Sequence, residues 1–268
     1  MNHYLGIDIG TYESKGVLAG ADGSIVATAA RPHRMLVPQA GWAEHDAEAN
    51  WWGEVCAISR DLIAQAGVAP QAIRAVGASG IGPCMLPVDK DGNPLMNAVL
   101  YGIDTRAAKE MEELTAEIGI EALMARGGNA LTSQSVGPKI LWLRRNRPEL
   151  FARTHKILNS SSFLVHRLTG NYTADHYTAA GFSPLYDIVA QDWNDDYADR
   201  IVGREKLPDL LWTTDIAGMV TPQAAATTGL MAGTPVITGT VDAAAEAVSV
   251  GVQSPGDMMV LYGSTMFM

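Results

Sequence analysis

The start of the chain constrains the fold most, because it contains three short apolar runs separated by turns. Residues 4–10, 14–21 and 24–31 alternate apolar with small or polar side chains, a pattern typical of strands. The dipeptide Asp22-Gly23 separates the second run from the third and favours a hairpin. The sequence therefore predicts that the chain begins as a meandering β-sheet.

A long helix and a further strand follow this meander. In "EHDAEANWWGEVCAISRDLIAQAG", Trp51, Val55 and Ile58 recur at helical spacing, with Asp46 placed to cap the start and Gly67 the end. The next segment, "IRAVGASGIG", is an apolar strand that ends in small residues. Together these elements predict a mixed α/β sheet with helices packed on it.

The same order of elements begins again near the end of the chain. "TPVITGTVDAAAEAVSVGV" reads as a strand, a small-residue turn with Asp242 and an alanine-rich helix, and "DMMVLYGSTMFM" reads as a strand that stops at Met268. We therefore expect one domain over 1–232 and the truncated beginning of a second over 233–268. A chain that ends within a strand leaves backbone groups unpaired, so a fragment of a longer protein is expected.

Composition excludes several classes of function. The 268 residues carry a formal net charge of −10, which argues against nucleic acid as a partner. The two cysteines, Cys56 and Cys84, match neither a disulfide framework nor a zinc site, so a cytoplasmic location is expected. We expect neither a signal peptide nor a membrane-spanning segment, and the sequence is compatible with a homodimer.

Two turns rich in glycine and hydroxyl groups, one near each end of the chain, are suited to holding phosphates. Backbone N–H groups in such turns form a concave anion site, and glycine permits a close approach. The candidate nucleotide-binding residues are Gly10, Thr11, Ser14 and Lys15 in the first turn, and Gly263, Ser264 and Thr265 in the second.

Asp8 ends the first apolar run and has two readings. It is either a simple turn aspartate or a group that holds Mg²⁺ through water beside the phosphates. A dinucleotide-binding loop is disfavoured, because "GIDIGTYESKG" lacks G-x-G-x-x-G and leads into a strand.

Asp242 follows the later strand and opens the alanine-rich helix. It is either the N-cap of that helix or a general base that accepts a proton from a substrate hydroxyl during phosphoryl transfer. The residues alone leave both readings open.

Five segments in the same order resemble the FGGY carbohydrate kinases, most closely the xylulokinase-like branch, within the actin, Hsp70 and sugar kinase superfamily. These segments are "YLGIDIGTYESKGVL", "GWAEHDAEANWW", "GPKILWLRRNRPELF", "GTVDAAAEAVSVG" and "LYGSTMF". The resemblance covers essentially the whole chain. It implies a ribonuclease H-like, actin-like ATPase fold whose two lobes close over a small-molecule carbohydrate and ATP.

The resemblance also implies roles for single residues. Asp242 matches the catalytic aspartate of the family, and Asp8 matches the acidic residue that serves Mg²⁺ and ATP. The adenine contacts would lie in the missing part, so the fragment alone is expected to be inactive.

The expected sugar pocket departs from the family pattern. Where xylulokinases have Gln-Met-His-Gly, this chain has Ile81, Gly82, Pro83 and Cys84, and Ala243 replaces a polar residue after the catalytic aspartate. We therefore predict that D-xylulose is not the preferred substrate, and that another sugar, a polyol or a sugar acid is phosphorylated. Gly82 and Pro83 stay candidate substrate contacts.

The segment "YGIDTR" is one residue longer than its family counterpart and keeps Asp104 and Arg106 as candidate substrate contacts. Arg106 would bind an anionic substrate or form a structural ion pair with Asp104 or Glu110, and both readings stay open. His45 is expected to be a solvated loop histidine.

Other side chains near the expected pocket have simpler readings. Trp51 is expected in the core, and Cys84 is expected to fill space in the pocket. His176 and Tyr177 are candidates to reach the cleft.

Two other functions remain as alternatives. A nucleotide-driven ATPase related to actin or Hsp70 would need the phosphate turns but not the sugar kinase segments. A non-catalytic sugar-binding regulator would have no reason to retain both Asp8 and Asp242.

Overall fold

The structure is a computed structural model that describes residues 2–252, 254–262 and 266–267. The strands are β1 His3–Ile9, β2 Glu13–Gly20, β3 Ile25–Pro32, β4 Glu44–His45, β5 Ile73–Gly80, β6 Leu86–Val88, β7 Ala98–Val99, β8 Lys156–Leu158, β9 Thr173–Asp175, β10 Tyr186–Asp187, β11 Asp192–Trp193, β12 Asp209–Leu211, β13 Ile216–Met219, β14 Pro235–Ile237, β15 Thr240–Val241, β16 Leu261–Tyr262 and β17 Met266–Phe267. The main sheet has the strand order β13-β14-β5-β1-β2-β3, and β15 also pairs with β5.

The helices pack on this sheet and on one another. They are α1 Glu54–Ala66, α2 Ala108–Ile118, α3 Ile120–Gly127, α4 Val136–Asn146, α5 Pro148–Arg153, α6 Ser160–Thr169, α7 His176–Ala180, α8 Asp195–Ile201, α9 Pro222–Thr228 and α10 Asp242–Ser249. The mixed α/β architecture predicted from the sequence is confirmed. None of the helices that the structure describes is long and apolar enough to cross a membrane.

The opening meander folds as predicted, because its side chains alternate between two faces. Leu5, Ile7 and Ile9 of β1 are buried with residues of α1 and α6 in one core. Gly6 and Asp8 point to the opposite face, which lines an open cleft. Helices α1 and α6 therefore cover one face of the sheet, and the other face lines the cleft.

The predicted long helix begins and ends where its caps indicate. The Asp46 side chain accepts a hydrogen bond from the N–H of Ala49, and Gly67 adopts a left-handed conformation after α1. Its first seven residues, Ala47–Gly53, form a π-helical segment. Trp51 is fully buried there, as expected.

The strands predicted to begin a second domain belong to the first sheet. Val236 of β14 pairs with Val76, and Thr240 of β15 pairs with Ser79, both on β5. This pairing attaches 235–241 to the first sheet, so the predicted boundary between 232 and 233 divides that sheet. The presence of a second domain stays a prediction.

Candidate functional site

The two candidate carboxylates leave the same edge of the sheet. Asp8 of β1 stands opposite Ser79 of β5, and Thr240 of β15 stands opposite the same serine from the other side. Because neighbouring strands are about 4.8 Å apart, Asp8 and Thr240 are separated by about two such spacings. The three strands run parallel, so Asp242, two residues beyond Thr240, lies near Asp8.

Asp242 has the electrostatic environment of a proton acceptor. Burial, followed by the negative charges of Asp8 and Glu246, raises its pKa to about 6, although the N–H of Ala243 opposes the shift. That N–H donates to Asp242 Oδ1 at 2.8 Å, and the N-cap position of α10 belongs to Val241. A base whose pKa lies just below neutral pH is ionised there and still basic enough to take a proton.

Asp8 is held by a hydrogen bond and faces a large cleft. Ser79 Oγ donates to Asp8 Oδ1 at 2.7 Å. The cleft has a volume of about 1000 Å³, and its lining includes Asp8, Lys15 and Ser79 on the sheet and Ala244 on α10. It therefore extends from Asp8, near the end of β1, to the helix that begins with Asp242.

The site is suited to magnesium held mainly by water and phosphate. In the described part of the chain, no three His, Cys, Asp or Glu side chains cluster closely enough to hold a metal ion. Mg²⁺ commonly keeps several waters and takes one or two carboxylates plus phosphate oxygens. Asp8, which projects from the sheet into the cleft, fits that requirement.

The first glycine turn is rigid and close to Asp242. A Cβ on Gly10 would lie 2.7 Å from the carbonyl oxygen of Glu13, so the turn requires glycine at this position. Thr11 Oγ1 forms a 2.9 Å hydrogen bond with the hydroxyl of Tyr101. Burial raises the pKa of Tyr101, with a contribution from the charge of Asp242. Tyr101 is thus a neighbour of the site that the sequence patterns did not single out.

Ser14 and Lys15 lie on opposite faces of β2. Ser14 is fully buried and its hydroxyl donates to the carbonyl of Asn50, so the structure does not support a contact between Ser14 and the nucleotide. The alternation of side chains along the strand is the reason. Lys15 lines the cleft, and its ammonium lies 3.5 Å from Glu13. The second predicted turn, Gly263, Ser264 and Thr265, lies outside the described residues.

Gly82 and Pro83, the candidate substrate contacts, lie beside the strand that leads to Asp242. A Cβ on Gly82 would lie 2.3 Å from Cγ1 of Val241, so the two residues are in close contact. Pro83 is in close contact with Gly181. Tyr177, half exposed, is also near Asp242: burial raises its pKa, and the charge of Asp242 adds to the shift.

Comparisons with known proteins identify the family of the chain. Residues 3–249 match the model of the FGGY family of carbohydrate kinases, N-terminal domain. The chain belongs to the FGGY family of carbohydrate kinases. Members of this family are phosphotransferases that act on hydroxyl groups of sugars.

Similar proteins include xylulose kinases and an autoinducer-2 kinase. The chain is 31% identical to the xylulose kinase of Escherichia coli strain K12 and 29% identical to the autoinducer-2 kinase of Escherichia coli O9:H4, covering 98% of this chain and 53% and 50% of those relatives. The solved xylulose kinase of Rhodospirillum rubrum aligns with a TM-score of 0.94 at 30% identity, over 99% of this chain and 54% of that one. The chain thus spans about half the length of the curated relatives it matches.

A solved structure at lower identity has the same fold. The Plasmodium falciparum glycerol kinase structure aligns with a TM-score of 0.81 at 22% identity. Together with the xylulose kinase structure, it confirms the predicted ribonuclease H-like, actin-like fold.

Arg106 lies in the core of this FGGY chain and forms ion pairs there. The Arg106 side chain is fully buried and pairs with Asp104 at 2.7 Å and Glu44 at 2.8 Å. Its guanidinium also lies 3.9 Å from the centre of the Trp42 ring and 5.2 Å from that of Trp142. Asp104, also buried, accepts a hydrogen bond from the N–H of Ala43. This geometry favours the structural reading of Arg106 and Asp104 over substrate contact.

Three further residues considered in the sequence analysis are His45, Cys84 and His176. His45 was expected to be solvated, which is wrong: it is fully buried and accepts a hydrogen bond from Trp51 Nε1. Cys84 is fully buried as expected, and burial raises the pKa of its thiol to about 12, so it stays protonated. His176 bonds to the hydroxyl of Tyr186 at 2.8 Å.

Proposed function

We propose that the protein carrying this chain transfers the γ-phosphoryl group of ATP to a hydroxyl of a neutral sugar or polyol. The observation that carries the proposal is Asp242, whose pKa is raised to about 6 and which lies beside Asp8 at the same edge of the sheet. Family membership supports the same reaction.

The chemistry of each residue follows from its surroundings. Asp242 accepts the proton of the acceptor hydroxyl while the hydroxyl oxygen forms a bond to the γ-phosphorus and the bond to ADP breaks. The N–H of Ala243 fixes the Asp242 carboxylate. Asp8 and Lys15 line the cleft beside the sheet, and bound Mg²⁺ would neutralise phosphate charge near Asp8.

A neutral acceptor fits the charges near Asp242. Asp8 and Glu246, whose charges act on Asp242, are both acidic and would repel a carboxylate on the substrate. Two buried cations of the described residues are engaged elsewhere: Arg106 pairs with two carboxylates and leaves only its Nη1 unpartnered, and the Lys139 ammonium donates to the carbonyls of Leu100 and Tyr101. Sugar acids, which the sequence left open, are therefore poorer candidates than sugars and polyols.

D-xylulose stays disfavoured in this proposal. Pro83 and Ala243 offer no side-chain donor or acceptor, and the buried Cys84 thiol donates weakly to the carbonyl of Ile81 at 3.4 Å. Sites built to bond a hydroxyl discriminate strongly when those partners are absent.

A panel assay of ADP release by the full-length protein tests the proposal. Pentuloses, hexuloses, polyols and matching aldonic acids are compared, and release should depend on a neutral acceptor. Asp242→Asn should lower kcat by at least about 10²-fold, whereas Asp199→Asn, an exposed carboxylate of α8, should leave it unchanged. ADP release without any acceptor would favour the ATPase alternative, and best activity on D-xylulose would refute the pocket assignment.

A further inference from the structure

Two buried histidines hold the first glycine turn from its inner side. His33 follows β3, and its side chain is only 2% exposed; its Nε2 lies 3.1 Å from the carbonyl oxygen of Gly10. His45, in β4, places its Nε2 3.1 Å from the carbonyl oxygen of Thr11. The two rings meet edge to face, with centres 4.8 Å apart. Both peptide oxygens of the turn are thus directed into the protein.

The hydrogen-bond partners fix the protonation of each ring. His45 Nδ1 accepts from the indole N–H of Trp51, so its Nε2 carries the proton and donates to Thr11. His33 faces two acceptors, because its Nδ1 lies 2.9 Å from Glu54 Oε2 and its Nε2 faces the Gly10 carbonyl. Only the doubly protonated, charged ring can donate to both.

The electrostatics agree with this assignment. Burial lowers the pKa of His33, but the bond and the attraction to Glu54, helped by the carbonyls of Gly10 and Thr11, outweigh burial and raise it above its ordinary value. Burial and the neighbouring His33 lower the pKa of His45 to about 4. Glu54 of α1 and His45 of β4 are the charged or titratable groups that face His33.

The orientation of the turn follows from peptide geometry. In a trans peptide the N–H points away from the C=O of the same unit. Holding the oxygens of Gly10 and Thr11 inward therefore directs the N–H groups of Thr11 and Tyr12 outward. Within the residues that the structure describes, neither N–H has a hydrogen-bond acceptor. Two adjacent N–H groups without an acceptor are suited to binding an anion.

We propose that His33, as an imidazolium, and neutral His45 position the Gly10–Thr11 turn so that its outward N–H groups receive the polyphosphate of the nucleotide. This inference rests on the proposed kinase function only for the identity of the anion. His33 is a positioning residue, and it makes nucleotide binding sensitive to pH. Loss of its proton removes one of its two donors, so the turn is held less firmly and nucleotide binding weakens at higher pH.

The test combines side-chain NMR of the histidines with nucleotide binding to the full-length protein. His33 should titrate above and His45 below ordinary histidine, with signals assigned from His33→Gln and His45→Gln. The Kd of ATP, measured by calorimetry, should rise about tenfold as pH passes the His33 pKa, and the KM for ATP should follow. Glu54→Gln removes the attraction between Glu54 and His33. In this variant, the titration of His33 and the weakening of ATP binding should both move to lower pH.

Controls separate positioning from a general structural effect. His33→Gln should bind ATP about tenfold more weakly and lose the pH transition, while kcat at saturating ATP changes little. His155→Gln, an exposed histidine, should behave as the parent protein.

Each outcome has a distinct meaning. The proposal is wrong if ATP binding weakens at the same pH in Glu54→Gln as in the parent protein. It is also wrong if His33 is neutral at a pH where ATP still binds with full affinity. The NMR and binding readouts need no acceptor, so they stand even if the protein phosphorylates no sugar.

Discussion

At the level of single residues, Glu246 influences Asp242 from one turn further along α10. Glu246 is exposed, and its charge is one of the causes that raise the pKa of Asp242. Replacing it with glutamine removes that charge and lowers the pKa of Asp242. The acidic limb of log kcat/KM, expected near pH 6, should therefore move to lower pH by about 0.2–0.5 unit, with the plateau unchanged.

The pH profile of Glu246→Gln is measured beside that of Glu121→Gln. Glu121 is an exposed glutamate of α3, so its substitution should leave the acidic limb of log kcat/KM in place. A limb that does not move in Glu246→Gln, or moves to higher pH, would mean that another group titrates.

At the level of elements, the position of Asp242 depends on a bulge between β14 and β15. Thr240 lies four positions after Val236, whereas their partners on β5, Val76 and Ser79, lie only three positions apart. Gly239 absorbs the extra residue with φ +70, and a Cβ there would lie 2.0 Å from the carbonyl oxygen of Ala78. The bulge thus sets where β15 ends and where α10 begins.

Gly239→Ala should displace β15 and the base that follows it. The backbone clash and the left-handed conformation together should lower the free energy of unfolding by about 2–4 kcal/mol, measured by urea denaturation, and kcat should fall as well. Gly233→Ala is the matched control, because its φ is +87 but nothing lies within 4 Å of an added Cβ. It should cost about 1–2 kcal/mol and leave kcat intact. If both substitutions change the free energy of unfolding and kcat equally, the bulge does not set the position of Asp242.

At the level of the whole molecule, Arg106 links two separate hydrophobic clusters. Trp142, against which it packs, belongs to the cluster built by α2, α3, α4 and α8, while Ala43, bonded to Asp104, belongs to the cluster under the main sheet. Removing the guanidinium would leave the carboxylates of Asp104 and Glu44 buried without a cation.

Arg106→Met should therefore destabilise the fold by about 3–5 kcal/mol, while the KM for a neutral acceptor stays unchanged. Arg200→Met, which breaks an exposed pair with Glu117, should cost no more than about 1 kcal/mol. Chemical denaturation and steady-state kinetics measure the two effects. A raised KM in a stable Arg106→Met protein would instead indicate substrate contact.

Local signals predicted much of this molecule, and tertiary pairing decided the rest. The opening strands and the caps Asp46 and Gly67 follow from periodicity and from backbone chemistry, which act within a few residues. His45 and Arg106 were harder, since polar side chains become buried only when distant partners supply hydrogen bonds. The sheet register likewise decided the face occupied by Ser14 and the attachment of 235–241.

The close contact between Gly82 and Val241 couples the side chains that these two positions can accommodate. A side chain at 82 requires first of all a smaller residue at 241, because Cγ1 of Val241 occupies its space, and the Asn159 amide, 3.0 Å from an added Cβ, must also shift slightly. Attempts to re-engineer acceptor preference at 82 would thus disturb the strand that carries the base, unless a compensating change such as Val241→Ala accompanies them. Paired libraries at 82 and 241 should retain activity where single substitutions at 82 lose it.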